Sequence, residues 1–367
     1  KRAGLLYLGT ESGVYVSFDD GDHWQSLQGG LPNTPVRDME VKEHDLVIAT
    51  HGRGFWVLDD VSRLRQLADA DVGKAAQLYA PGTAVRMRRN VGANTPLPPD
   101  IPHAENAPDG ALVDYWLASN ASTVSLDVLD ASGQVVRHLS SAAMAPVAEA
   151  AKPPHPNFWI AVPQPLPSAA GAHRVQWDLR RDAPNALSHS FEINANPGLT
   201  PASPEGALVP PGRYTLRLTA NGVTVTQPIT VVNDPRVKAT AADVRAQDSL
   251  LVALTRGIND SYADHQAAEG ARKNASGAKA AVLDTLLGNA RPRGAPGAIP
   301  HSTSFKAVHE ALINQLNAQD NADLRPTPSM WAGLKAVCSD YKALQAKWDA
   351  VMKSEGAPKA RPKRPSC

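Results

Sequence analysis

Two strand-turn-strand units of matching pattern stand near the start of the chain, and their spacing limits the fold more than any other feature. The first runs Leu5-Leu6-Tyr7-Leu8-Gly9-Thr10, a short turn, and then Gly13-Val14-Tyr15-Val16-Ser17. The second runs Asp45-Leu46-Val47-Ile48-Ala49-Thr50, a glycine-rich turn, and then Phe55-Trp56-Val57-Leu58. The turn glycines Gly13 and Gly54 lie 41 residues apart. Short β-prone runs bounded by turn residues read as strands, and a repeat of about 40 residues holding several of them reads as a run of β-propeller blades.

Counting strands sharpens that expectation. Residues 5–27 supply the second, third and fourth strands of one blade, and residues 36–41, 45–50 and 55–58 supply the first three of the next. This is about one and a half blades, where a closed propeller needs at least about four. Residues 1–68 are therefore expected to be the C-terminal blades of an incomplete propeller. Left alone they would expose an unpaired sheet edge and an apolar face. The expected partner is the remainder of the propeller, as an upstream segment of a larger protein or as a separate chain.

Between the units lies Ser17-Phe18-Asp19-Asp20-Gly21-Asp22-His23-Trp24. Its Ser17-x-Asp19-x-Gly21-x-x-Trp24 spacing resembles the Asp-box, the turn of BNR-type propellers found in sialidases, xyloglucanases and the sortilin (VPS10) group. Asp19 can accept backbone N–H groups inside its own turn, Gly21 permits positive φ, and Trp24 offers an apolar cover. The resemblance implies a structural turn joining the third and fourth strands of a blade, away from any catalytic pocket. An acid or nucleophile role for Asp19 beside Asp20 is the other reading, because glycosidases use paired carboxylates.

Strands in a blade alternate in direction, so the loops Thr10–Ser12, Gly29–Pro35 and Thr50–Gly54 are expected at one end and the Asp-box turn at the other. Ligands of propellers generally bind at the first end or in the channel mouth. That makes His51 and Arg53 the candidate ligand-binding residues, an imidazole and a carboxylate-reading guanidinium separated by glycine. The alternative is that both pin the loop, through Asp59 or Asp60.

From residue 75 to 234 the pattern is that of strands. Candidate strands are 76–79, 84–88, 112–117, 124–129, 135–138, 173–179, 212–218 and 223–231, with hairpin turns at Asp130-Ala131-Ser132-Gly133 and Ala220-Asn221-Gly222. About seven or eight short strands of this kind predict an Ig-like or fibronectin-like β-sandwich. Loops are expected over 90–110 and 140–170. His103, His155 and His189 fall in or near such segments, with no spacing that makes a metal site.

After Pro235 the period becomes helical. Thr240-Ala241-Ala242-Asp243 has the form of a capping box, and Val244, Leu251, Leu254, Ile258 and Tyr262 mark one face of a helix of roughly 30 residues. A shorter helix follows near 280–287, then a Gly/Pro-rich loop over 288–300, and a third helix marked by Phe305, Val308, Leu312 and Leu316. Thr327-Pro328 starts a last helix whose stripe is Trp331, Leu334, Cys338, Tyr341, Leu344, Trp348 and Met352. Residues 237–355 are thus expected to form a small α-helical bundle, and 356–367 a basic flexible tail. Cys338 reads as a small buried hydrophobe; pairing with Cys367 would need the tail to fold back.

Pro210-Pro211-Gly212-Arg213-Tyr214, Trp177-Asp178-Leu179-Arg180 and Asn233-Asp234-Pro235-Arg236 resemble the C-terminal region of large bacterial BNR-repeat proteins, often labelled glycosyl hydrolases. In that family a propeller precedes a sandwich and a helical tail, and the resemblance spans residues 5–353. It implies a secreted or periplasmic protein.

The charge balance, 37 Lys+Arg against 36 Asp+Glu, excludes the basic surplus of a nucleic-acid binder. No apolar run reaches the roughly 18 residues of a membrane helix. No motif for a cofactor, a metal or a nucleophilic triad is present, so none is expected and the catalytic residues are unknown. The first function class is a binding or scaffold module with a carbohydrate or peptide ligand. The alternative is a sialidase-like or xyloglucanase-like glycoside hydrolase, for which this chain offers only Arg37, Arg53, Asp38, Asp59 and Asp60. Its other catalytic residues would lie in the missing blades. A third class is peptide capture in the channel, as in the sortilin-like group.

Overall fold

The computed structural model describes residues 2–67, 74–88, 100, 108–142, 156–192, 198–288 and 304–353. Strands form where the opening pattern places them. β1 (Leu6–Gly9), β2 (Val14–Ser17) and β3 (Gln25–Ser26) make one antiparallel sheet, and β4 (Val36–Lys42), β5 (Asp45–Thr50) and β6 (Phe55–Leu58) make another. The two sheets close on a shared core of Val14, Leu31, Leu46 and Ile48, joined by Val61 and Leu64 of the 3-10 helix Val61–Arg65. Gly9 matters to this contact, because a Cβ there would come within 2.6 Å of the Val36 side chain. The Val36 N–H donates to the Thr10 carbonyl at 2.8 Å and ties the sheets along one end.

The middle of the chain builds two further sheets around one core. β7 (Ala76–Leu78), β9 (Ala111–Leu117) and β12 (Gly171–Trp177) form a three-stranded sheet in the order β12-β9-β7. β8 (Ala84–Arg86), β10 (Val124–Leu129), β11 (Val135–Ser140), β15 (Gly212–Ala220) and β16 (Val223–Asn233) form a five-stranded sheet in the order β11-β10-β15-β16-β8. Alternation sends Val124, Leu126 and Val128 of β10 inward with Leu216 and Leu218 of β15, against Val113, Tyr115 and Leu117 of β9. Trp177 meets Tyr214 edge to face across the two layers, with ring centroids 5.6 Å apart. β8 joins β16 in parallel, and the two-residue pair β13 (Ser190–Phe191) and β14 (Ala202–Ser203) is too short to leave a periodic signal in sequence.

Four helices follow: α1 (Ala241–Lys273), α2 (Gly277–Leu287), α3 (Phe305–Gln319) and α4 (Pro328–Lys353). The capping box at the start of α1 is complete. The Asp243 N–H donates to Thr240 Oγ1 at 3.2 Å, and the Thr240 N–H donates to the Asp243 carboxylate at 3.1 Å. The apolar stripes meet in one cluster that includes Leu254, Ile258, Phe305, Leu312, Tyr341 and Trp348. Cys338 lies buried in that cluster and is disulfide-bonded. Cys367, the basic tail 356–367, His103 and His155 lie outside the described residues, as does most of the expected loop over 90–110. The chain is thus mainly β with a helical C-terminal part, and no described helix is long and apolar enough to cross a membrane.

His309 on α3 fastens the helices to a loop of the β part. The Leu187 N–H donates to its Nε2 at 3.1 Å, so Nδ1 carries the ring proton and donates it to Ser261 Oγ at 3.0 Å. Ser261 in turn donates to the Ile258 carbonyl at 2.9 Å. Burial, aided by nearby His265, pulls the His309 pKa down to about 4. A histidine held neutral in the fold stabilises fully above its unfolded pKa of about 6.5, and this contribution is lost as pH falls from there to about 4. Urea titrations should therefore show a loss of about 3 kcal/mol over that window. His309→Asn should remove most of this pH dependence while lowering stability at pH 7.

Candidate functional site

The loops expected to share one end do so. The Val36–Thr10 bond joins the 10–13 turn to the 29–35 loop. The His51 N–H donates to the Pro35 carbonyl at 2.8 Å, and Thr34 Oγ1 donates to the His51 carbonyl at 3.1 Å, which fastens the 50–54 turn to the same loop. Gln28 Nε2 reaches the Ser12 carbonyl at 3.1 Å. The backbone at this end is therefore fixed by its own hydrogen bonds, while the His51 and Arg53 side chains are exposed. Arg37 pairs with Glu11 at 3.1 Å beside them. Among the described residues neither the His51 imidazole nor the Arg53 guanidinium has a hydrogen-bond or ion-pair partner, and both are exposed. The Arg53 carbonyl accepts from Trp56 Nε1 at 3.0 Å, which holds the turn against β6.

Ser17, Asp19, Gly21 and Trp24 gather at the far end of β2. Ser17 Oγ donates to Asp19 Oδ1 at 2.8 Å and accepts from the Gly21 N–H at 2.9 Å. The His23 N–H donates to Asp19 Oδ1 at 2.9 Å, and the His23 ring meets Asp19 Oδ2 at 2.6 Å. Led by the backbone bond from His23, these contacts hold the Asp19 carboxyl down to about 2. Gly21 has φ 101°, and a Cβ there would lie 3.7 Å from the Trp24 ring. A carboxylate this acidic, with both oxygens engaged inside one turn, is poorly suited to donate a proton at neutral pH.

Asp59 and Asp60 do not hold the 50–54 turn. Asp60, at φ 43°, accepts the Ser62 N–H on Oδ1 at 2.9 Å and the Gly82 N–H on Oδ2 at 3.2 Å. Burial, with Asp45 nearby, raises the Asp59 carboxyl pKa. The carbonyls of both residues are taken by Arg174 of β12, Asp60 at 2.6 Å and Asp59 more closely. The same guanidinium forks onto Asp114 of β9 at 3.0 and 2.8 Å. Arg174 thus clasps the N-terminal sheets to the middle of the chain, at the end opposite His51 and Arg53. Sequence reasoning missed it, because nothing local marks a partner 114 or 115 residues away.

A second feature unseen in sequence is an open cavity of about 180 Å³ where the helices meet the β part, bordered by Arg88, Arg180, Glu205, Asn317 and Asp320. Its charges answer one another: Arg180 Nη1 lies 2.9 Å from Asp320 Oδ2, and Arg88 reaches Asp320 Oδ1 at 3.2 Å. No group of three His, Cys, Asp or Glu among the described residues could hold a metal ion.

Removing the clasp gives a direct check of its role. Arg174→Ala should cost about 2 kcal/mol, the scale for losing charged hydrogen bonds. It should also speed amide exchange over 59–65 more than within α1. Arg174→Lys should recover only part of the loss, since an ammonium cannot fork onto Asp114.

No protein-family model and no curated protein sequence matches this chain.

Proposed function

We propose that residues 2–67 are parts of two consecutive blades of a BNR-type β-propeller, and that the chain is the C-terminal part of a secreted or periplasmic binding or scaffold protein. In this reading polypeptide outside the chain completes the ring. The loops around His51 and Arg53 form part of the ligand face, for a carbohydrate or a peptide. The two middle sheets act as an immunoglobulin-like sandwich that, with the helical bundle, buttresses the ring.

One observation carries the reading. The two strand-turn-strand units have the same register, Leu8↔Tyr15 and Gly9↔Val14 in the first matching Ile48↔Trp56 and Ala49↔Phe55 in the second. Leu6 and Leu8 therefore correspond to Leu46 and Ile48, and Val14 and Val16 correspond to Phe55 and Val57. Inside the chain the Val14 face of the first unit packs on the Leu46–Ile48 face of the second, and all three side chains are at most 5% exposed. The contact is made by opposite faces of equivalent units, which is a head-to-tail stack. Each outer surface then repeats a surface that is buried within. Phe55 is 80% and Val57 53% exposed, while Leu6 is 38% and Leu8 41% exposed. A stack with two unsatisfied ends of complementary shape is what a ring leaves when only neighbouring units of it are present.

The binding reading is favoured over the hydrolase reading by how the acidic candidates are used. Asp59 and Asp60 stand at the end opposite those loops, where Arg174 takes both of their carbonyls, so neither forms a carboxylate pair with Asp38 at the loop end.

Head-to-tail stacking has a distinctive solution behaviour. Sedimentation should show concentration-dependent association of the chain, and Leu8→Asp or Phe55→Asp alone should stay monomeric where the wild type associates, with self-association weakened at least tenfold, because every copy then lacks one of the two faces the contact needs. An equimolar mixture of the two variants should give a heterodimer, because one intact face of each kind survives. A mixture that stays monomeric while the wild type associates would overturn the stack. For the ligand face, Arg53→Ala should weaken binding of an acidic oligosaccharide or peptide at least tenfold without lowering the Tm.

A further inference from the structure

Cys338 stands on the buried stripe of α4 with Leu334 and Tyr341, and only 5% of its surface is exposed. It is disulfide-bonded, and no cysteine among the described residues is free. The sequence holds one other cysteine, Cys367, fourteen positions beyond Lys353, where α4 ends.

The place of Cys338 limits what can bridge to it. A disulfide needs Cα atoms roughly 4.4–6.8 Å apart. Two copies of Cys338, each in mid-helix and shielded in its own bundle, cannot approach so closely without disturbing Leu334 and Tyr341. A single segment laid along α4 can. Helical spacing puts Cys338 at the margin of the stripe, next to the exposed residues Trp331, Lys335 and Lys342. The way back from Lys353 to Cys338 is fifteen helical residues, about 22 Å. Residues 354–367 reach up to about 46 Å when extended, so they cover that distance with slack. Gly356 and Pro358 are signals that end a helix, and Pro362 and Pro365 disfavour starting another.

We infer that Cys338 and Cys367 form an internal disulfide that folds residues 354–367 back along the Lys335–Lys342 margin of α4 and staples the helical bundle. Each sulfhydryl gives up its proton, two electrons pass to a small-molecule disulfide that leaves as two thiols, and Sγ joins Sγ. Charge opposes the fold-back, because Lys359, Arg361, Lys363 and Arg364 of the tail approach Lys335 and Lys342. The covalent bond, not ionic attraction, therefore holds the tail. It closes a loop of about thirty residues, which restrains the opened state of α4. An oxidising compartment keeps such a bond, in agreement with the secreted or periplasmic location proposed above. No residue of 2–67 is involved, so the staple stands or falls separately from the propeller.

The test begins with the intact chain equilibrated with oxidised glutathione, blocked with N-ethylmaleimide and digested with trypsin without reduction. Residues 336–342 should be recovered joined to residues 364–367, two hydrogen masses below the sum of the separate peptides, from a chain that runs as a monomer on a non-reducing gel. Both peptides blocked or glutathionylated, 336–342 joined to a second copy of itself, or a ladder of linked chains would each overturn the inference. Amide exchange within 335–345 should be at least tenfold slower in the oxidised chain than after dithiothreitol, with less change in β9 and β12. Cys367→Ser in the glutathione buffer should exchange like the reduced chain. It leaves Cys338 in place, so the core stays filled. Equal exchange in the oxidised chain, the reduced chain and Cys367→Ser would overturn the staple.

Discussion

Guanidinium–carboxylate clasps set how the three apolar cores of this chain meet. Each core closes on its own by burial, which has no direction. Their mutual placement needs bonds that have one. Arg174 spans the first junction, holding Asp114 on one side and the carbonyls of Asp59 and Asp60 on the other. At the second junction Arg86 and Arg88 on and after β8 and Arg180 after β12 converge on Asp320 and Asp323, just past α3. Arg181 adds a forked contact to Asp248 of α1 at 2.9 and 3.1 Å. Carboxylates are ordinarily disfavoured at a helix C-terminus, where the helix dipole is negative, so Asp320 and Asp323 are there at a cost that the three guanidinium groups offset. Arg86 is almost wholly buried, with Nε donating to the Val209 carbonyl at 2.8 Å. Ion pairs this buried add little net stability over a well-packed apolar contact. Their contribution is orientation: Arg86 and Asp323 are satisfied in one docking geometry and left uncompensated in most others.

β2, β4, β5 and β6 carry the chain from one end of the N-terminal sheets to the other, and Arg174 engages the end where β6 finishes. The loops bearing His51 and Arg53 are left at the opposite end, with their backbone hydrogen-bonded and their side chains exposed. A fixed backbone under unengaged polar side chains lowers the ordering cost of binding. The 17–24 turn lies at the clasped end, and the Asp19 carboxylate is spent within it.

Much of the fold could be read from the sequence, because its signals are local. The capping box of α1, the turn at Gly13, and the inward alternation of Val124, Leu126 and Val128 depend on neighbours within a few residues. What escaped depends on distance in the chain. Arg86 and Asp323 are 237 residues apart, and each alone looks like an ordinary surface charge. The β13–β14 pair is too short to have a period, and the parallel partnership of β8 with β16 leaves no mark on either strand. Of the candidate site, the gathering of the three loops followed from strand direction, whereas the engagement of Asp59 and Asp60 with the middle of the chain did not. Asp60 was legible as a polar residue after a strand, but its two N–H donors come from Ser62 and Gly82, the second of which no local pattern would supply.

The asymmetry between the two N-terminal units bears most on function. Their registers agree residue for residue, so the same backbone framework is present in both, yet Val14 is enclosed while its counterpart Phe55 is 80% exposed. Intrinsic preference does not explain this, since phenylalanine is the larger and more hydrophobic of the two. What differs is only whether a further unit stands alongside. A protein that used these sheets as a finished surface would gain from polar residues at Phe55 and Val57, which would remove an aggregation hazard. The kind of apolar face that is buried between Val14 and the pair Leu46 and Ile48 is thus presented uncovered at Phe55 and Val57.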